Sequence, residues 1–192
     1  MRSFSCTRGG LRDEWKRIEA VKGRRNVQKT ILILAATLAA FLGACGVSDD
    51  TEVRGRVVRV ADGDTITILD AANAQHKIRF HGIDAPEKGQ AFGRAAGKFL
   101  AGLVAGRDVV VKVKNTDRYG RTVGVVFCDG RDINLEMLKA GYAWHYKHYD
   151  KSAAYAEAES SARAARRGLW ADKDPINPYD FRKAKRGEKG HE

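Results

Sequence analysis

Four short stretches of this chain carry side chains able to do chemistry. They are Asp62-Gly63-Asp64-Thr65, Arg79 within an alternating apolar run, Asp84-Ala85-Pro86-Glu87, and Asp117-Arg118-Tyr119-Gly120-Arg121. Taken singly, each has an ordinary structural reading. The first is a turn, the third a loop with helix-starting acids, the fourth a solvated turn between strands, and an arginine on a strand is usually a surface residue. Taken together they meet the needs of one reaction class. Phosphodiester hydrolysis requires an attacking water, relief of charge on a pentacovalent phosphorus, and help for a leaving alkoxide. Carboxylates can hold a hard divalent cation that acts as a Lewis acid. Guanidinium groups stay charged and match phosphate oxygens with forked donors. A carboxylate that does not grip the metal can take a proton from water or orient it. The sequence offers no convincing Ser-His-Asp arrangement and no glycine-rich phosphate loop.

The elements that must position these groups follow from periodicity. Val57, Val58 and Val60 open a first strand, and Thr65 to Leu69 form a second, with Ile66 and Ile68 on one face. Lys77 to Ile83 read as a third, with Ile78 and Phe80 inward and Arg79 and His81 on the other face. Val109, Val111 and Val113 mark a fourth, and Thr122 to Cys128 a fifth. Helical spacing joins Phe92, Ala96, Phe99, Leu100 and Leu103, with Gly106 as a stop. It recurs over Ile133, Met137 and Leu138 before Gly141, and from Ser152, a candidate N-cap, to Arg167, with Gly168 as the stop. Residues from Ala171 onward hold Pro175, Pro178 and a basic cluster of Arg182, Lys183, Lys185 and Arg186, and are expected to be loose or only partly docked. The pattern by itself supports an α+β chain, a small barrel or a meander; five strands with three packed helices suit the size of a five-stranded barrel of the oligonucleotide-binding (OB) type, which is the expected fold.

Composition sets outer bounds. The 192 residues leave room for one domain with short extensions, and 43% hydrophobic content suits a folded core rather than a disordered chain. The formal net charge is +11. Beyond residue 44 there are 26 Lys/Arg against 21 Asp/Glu, a net +5, so the attraction for polyanions is moderate. Cys6, Cys45 and Cys128 make neither a disulfide framework nor a zinc pattern. Cys128 follows the alternating Val123, Val125 and Phe127 and reads as a partly buried thiol at a strand end.

The amino-terminal region reads as an address. An apolar run, Thr30 to Ala44, follows Arg24, Arg25 and Lys29, and falls short of the roughly 20 residues a membrane span needs. Leu42-Gly43-Ala44-Cys45 resembles the bacterial lipobox, which would make Cys45 a lipidated first residue. The expectation is a signal segment over 1–45, a linker over 46–52, a catalytic domain over 53–170 and a basic tail over 171–192. The protein would then be exported and anchored in the bacterial envelope through Cys45. Ordinary cleavage near Ala44 would make it secreted, and an uncleaved anchor is the remaining alternative. The polar, unpatterned stretch before the apolar run also fits a start codon set too far upstream.

From Val53 to Trp170 the chain resembles the staphylococcal nuclease (thermonuclease) family. Asp-Gly-Asp-Thr, the Arg79-Phe80-His81-Gly82-Ile83-Asp84-Ala85-Pro86-Glu87 run, Asp-Arg-Tyr-Gly-Arg and the late Gly168-Leu169-Trp170 come in the family's order and approximate spacing. The resemblance implies a calcium-dependent endonuclease acting on DNA and/or RNA. It makes Asp64 and Asp84 the calcium carboxylates, joined by the backbone carbonyl of Ala85, with Asp62 in the outer shell. Glu87 matches the carboxylate that acts as general base or water-positioner. Arg79 and Arg121 match the phosphate clamp, with Arg121 placed to assist the leaving oxygen. Arg118 and Tyr119 would line the substrate cleft. The family's founding member is less aromatic where this chain reads Tyr142 to Tyr149, so Tyr146 and Tyr149 become candidate base-stacking residues, while Trp144 reads better as packing against the last helix. His145 and His148, three apart, lack an acidic or cysteine partner nearby and are not expected to bind metal. A monomer is expected. The rival functions are a non-catalytic nucleic-acid-binding module on the same barrel and a surface lipoprotein that captures DNA without cutting it.

Overall fold

A computed structural model describes residues 51–188. The signal segment, the lipobox-like end, Cys6 and Cys45 lie outside the described residues. The strands are β1 (Glu52–Val60), β2 (Thr65–Leu69), β3 (Gln75–Phe80), β4 (Ile83–Asp84), β5 (Asp108–Thr116), β6 (Thr122–Cys128), β7 (Arg131–Asp132) and β8 (Trp144–His145). The helices are α1 (Gly93–Val104), α2 (Ile133–Lys139), α3 (Ala153–Ala164) and α4 (Pro178–Glu188), with a 3₁₀ turn at Gly168–Ala171.

Five strands close on themselves. The order β3-β2-β1-β5-β6 is antiparallel throughout, and a parallel pairing of β3 with β6 seals the barrel. This is the expected OB-type α+β architecture. Alternation fills its interior: Val57, Ile66, Ile68, Ile78, Phe80, Val109, Val111 and Val126 are all buried. α1 lays Ala96, Leu100 and Val104 into the same core, and α2 adds Ile133, Met137 and Leu138.

The closing seam positions the site. At the seam Arg79 faces Val123, one strand residue beyond the Asp117–Arg121 turn that leads into β6. Asn134 on α2, fully buried, stitches the seam together. Its Oδ1 accepts from the Val126 N–H at 3.1 Å, and its Nδ2 donates to the His81 carbonyl at 2.8 Å. Caps fix the helices that press on this region. The Asp132 carboxylate accepts from the Leu135 N–H at 2.9 Å and, at 2.9 Å, from the Tyr155 hydroxyl, linking the start of α2 to α3. Ser152 caps α3 as expected, accepting from the Tyr155 N–H.

Three sequence expectations change. The third strand stops at Phe80, because Gly82 adopts a left-handed backbone (φ +71°) and turns the chain. Ile83–Asp84 then pairs with Trp144–His145 instead. On β6 Gly124, Val126 and Cys128 are the buried set, so Cys128 is fully rather than partly buried. Of the two readings for the tail, the structure shows docking: Pro178–Glu188 is a helix reaching the candidate site.

Candidate active site

Asp64, Asp84 and Arg79 meet although they come from three separate segments. Asp64 ends the tight 61–64 turn just before β2. Asp84 sits on β4, and Arg79 is one residue from the end of β3, paired in register with Thr65. Gly63 is what lets the turn approach: a Cβ there would come within 2.7 Å of the Ala85 Cβ and 2.8 Å of the Ala96 Cβ. The turn therefore packs directly on the Asp84-Ala85 segment and on α1.

The Arg79 guanidinium bridges both carboxylates. Its Nη1 pairs with Asp64 Oδ1, and its Nη2 donates to Asp84 Oδ1 at 2.6 Å. The Ala85 N–H donates to Asp64 Oδ2 at 2.6 Å, and the Thr65 hydroxyl donates to Asp64 Oδ1 at 3.1 Å. Asp62 turns its Oδ1 back to accept from the Asp64 N–H at 3.1 Å. Asp64 and Asp84 are 1% and 2% exposed, so little water solvates either. Burial pushes the Asp64 carboxyl up to about 8. Arg79 opposes the rise, and the charges of Asp62 and Asp84 add to it. Burial works against the charge of Arg79, but Asp64 and Asp84 hold that guanidinium more firmly protonated than usual.

The second cationic group is held by its own loop. Asp117 Oδ1 accepts from the N–H groups of Tyr119 (2.9 Å) and Arg121 (3.0 Å), and its Oδ2 accepts from Arg121 Nε at 2.6 Å. Burial would raise the Asp117 carboxyl, but these donors hold it below its ordinary value. Only Nε of Arg121 is engaged. Its two Nη nitrogens have no ion-pair partner among the described residues. Arg118 lies 4.8 Å from the centroid of the exposed Tyr119 ring and Arg121 5.5 Å from it, so two guanidinium groups stand against one ring.

A cleft of about 900 Å³ gathers most of the expected residues: Arg79, Glu87, Arg118, Tyr119, Arg121, Tyr146 and Tyr149 all line it. Tyr146 and Tyr149 stand edge to face, 4.9 Å between ring centroids. Asp64 and Asp84 are not on its lining, but Arg79, which pairs with both, is. Trp144 lies elsewhere, packed edge-on against Trp170 at 4.4 Å, with the Arg163 guanidinium over both rings. His145, read from the sequence as lacking an acidic partner, has one in Asp150, with Nε2 3.1 Å from Oδ1.

The donor set suits a hard divalent cation. Two buried carboxylates stand close enough to share one guanidinium, and a third carboxylate, Asp62, adds to their mutual repulsion. No group of three or more His, Cys, Asp or Glu side chains placed to hold a metal occurs among the described residues. Two buried carboxylates are compatible with calcium, which completes its shell with further oxygens.

Periodicity and motif order did not single out Arg182 or Gln90. Arg182 lines the cleft, and its Nη1 and Nη2 reach Asp84 at 3.2 and 2.8 Å, with Nη1 also 2.6 Å from Glu87 Oε1. Gln90 accepts from the Glu87 N–H at 2.9 Å and donates to the Ile176 carbonyl at 2.7 Å, tying the Glu87 loop to the segment before α4. The basic composition of the tail was the only signal, and it does not say which of four cations would dock.

Residues 77–172 match the family described as Staphylococcal nuclease homologue. The chain is 43% identical over 159 residues to an uncharacterized endonuclease of Haemophilus influenzae, covering 83% of this chain and 86% of that protein. It is 39% identical over 170 residues to the micrococcal nuclease of Shigella flexneri, covering 82% of this chain and 97% of that one. An uncharacterized endonuclease of Escherichia coli O157:H7 is 44% identical over 135 residues, 70% of this chain and 88% of its own length.

Proposed function

The chain belongs to the staphylococcal nuclease family and is an endonuclease, and we propose that it cuts nucleic acid with calcium held by Asp64 and Asp84. The observation that carries this reading is the meeting of those two carboxylates on Arg79, at the edge of a cleft that also holds Glu87 and Arg121.

Calcium, when bound, supplies Lewis acidity at a phosphate oxygen and offsets its charge. Asp64, Asp84 and the Ala85 carbonyl would hold it, with Asp62 fixing the turn behind them. Arg79 and Arg121 bind the scissile phosphate from two sides, and their donors gain most where charge grows in the transition state. The free Nη nitrogens of Arg121 suit it to the departing oxygen. Glu87, at the cleft wall, orients the attacking water or takes its proton. Arg118, Tyr119, Tyr146 and Tyr149, which line the same cleft, offer guanidinium and ring faces on which flanking nucleotides of either DNA or RNA can rest.

The test is incubation of the purified protein with single-stranded DNA and with RNA, in calcium and in chelator. Cutting that requires calcium supports the proposal; tight binding without cutting favours the capture-module alternative. The lipid anchor on Cys45 is a separate proposal, resting on the lipobox-like sequence. Cys45→Ala should shift the protein from the membrane to the soluble fraction, and retention in the membrane would count against it.

A further inference from the structure

Arg182 occupies the position from which a cation would be excluded. Its guanidinium forks onto both oxygens of Asp84, one of the two carboxylates assigned to calcium, and at the same time onto Glu87, the carboxylate assigned to water. The two arginines on these carboxylates are mounted differently. Arg79 is fixed on a barrel strand paired on both sides. Arg182 rides on α4, which follows a short linker holding Pro175, and its own contacts are the only side-chain hydrogen bonds from α4 to the barrel among the described residues. A divalent cation on Asp84 and a guanidinium 2.8 and 3.2 Å from its two oxygens repel each other, and the partner with the weaker mounting in that contest is the helix rather than the strand.

We propose that Arg182 is a tethered competitor for the metal: it holds Asp84 and Glu87 in the metal-free protein, and calcium binding requires α4 to leave the site. This rests on the calcium reading above. Its consequence is that docked α4 keeps Asp84 neutralised and the water-handling Glu87 occupied until calcium displaces it. Lys185 and Arg186, which line the same cleft, travel with Arg182 when it moves.

The experiment is calcium titration of the purified full chain by calorimetry, without nucleic acid, for the wild type, Arg182→Ala, Arg182→Gln and Asp84→Asn. It is paired with amide hydrogen exchange over residues 178–188 of the wild type, with and without calcium. Arg182→Ala and Arg182→Gln should each bind calcium on the order of ten-fold more tightly, the factor a charge-assisted contact commands. In the wild type, protection of 178–188 should fall when calcium is added. Equal or weaker calcium affinity in both Arg182 variants, with Asp84→Asn abolishing binding, would overturn the competitor role and leave the metal assignment standing. Unchanged protection of 178–188 at saturating calcium would overturn it as well, with no variant involved. No calcium binding by any of the proteins would overturn both readings together.

Discussion

Arg79 and Arg121 reach one cleft by different routes, and the difference separates their mutants. Arg121 is anchored through Nε to Asp117 on an open loop, so Arg121→Ala should cut turnover by roughly a hundred- to a thousand-fold while moving the thermal midpoint little. Arg79→Ala should lose comparable rate and also lower the thermal midpoint, because buried Asp64 would lose its ion-pair partner while Asp84 keeps only Arg182. Steady-state rates and thermal melts on the two variants check both statements. Glu87→Ala should slow cleavage while largely sparing nucleic-acid affinity, and collapse of affinity would mean a structural role instead. His81 gives a pH signature. Burial, reinforced by Lys114 and opposed by Asp150, holds its imidazole below the ordinary 6.5. The unfolded chain therefore takes up this proton first as pH falls through 6.5, and stability is lost below that point until the folded imidazole also titrates. His81→Asn should flatten this slope between pH 7.5 and 5.5 in denaturant titrations. At this scale, Asp64, Asp84, Arg79, Glu87 and Arg121 were legible because each sits in a short, ordered motif. Arg182 was not, since its partner Asp84 lies 98 residues away and only the docking of α4 brings them together.

The elements were read well where alternation ran unbroken and less well where the backbone turned. β2, β5 and α2 carry their expected apolar faces inward, and α1 buries Ala96 and Leu100 of its expected face with Phe99 and Leu103 partly covered, while Phe92 falls just before the helix. β3 ended early at a left-handed glycine, and on β6 both faces are apolar, so alternation there does not say which side is buried. The tail became a helix although nothing in its periodicity required one, since docking on the cleft supplies what intrinsic propensity does not. The 61–64 turn makes an element-level test. In Gly63→Ala the added methyl meets both the Ala85 and Ala96 side chains, and overpacking of this kind costs about 1–3 kcal/mol. It also pushes Asp62 and Asp64 away from the Asp84-Ala85 segment, so calcium affinity should fall together with the thermal midpoint. A midpoint loss with unchanged calcium affinity would show that the turn can give without disturbing the carboxylates.

Closure of the barrel is what turns scattered motifs into a site. The parallel β3–β6 seam carries Arg79 and the entry to the Arg121 loop on adjacent strands, while β4 breaks from the barrel to present Asp84 beside the turn that holds Asp64. The barrel itself was legible from five alternating segments; its closing pair was not, because parallel pairing of distant strands leaves no local trace. The most direct measurement is a crystal structure of the protein with calcium and a non-hydrolysable dinucleotide. The expected result is one ion bound by Asp64 and Asp84, and a single phosphate held by Arg79 and Arg121 next to it. An ion bound elsewhere, or a phosphate that either arginine turns away from, would contradict the assignment of this cleft as the place where the phosphodiester is cut.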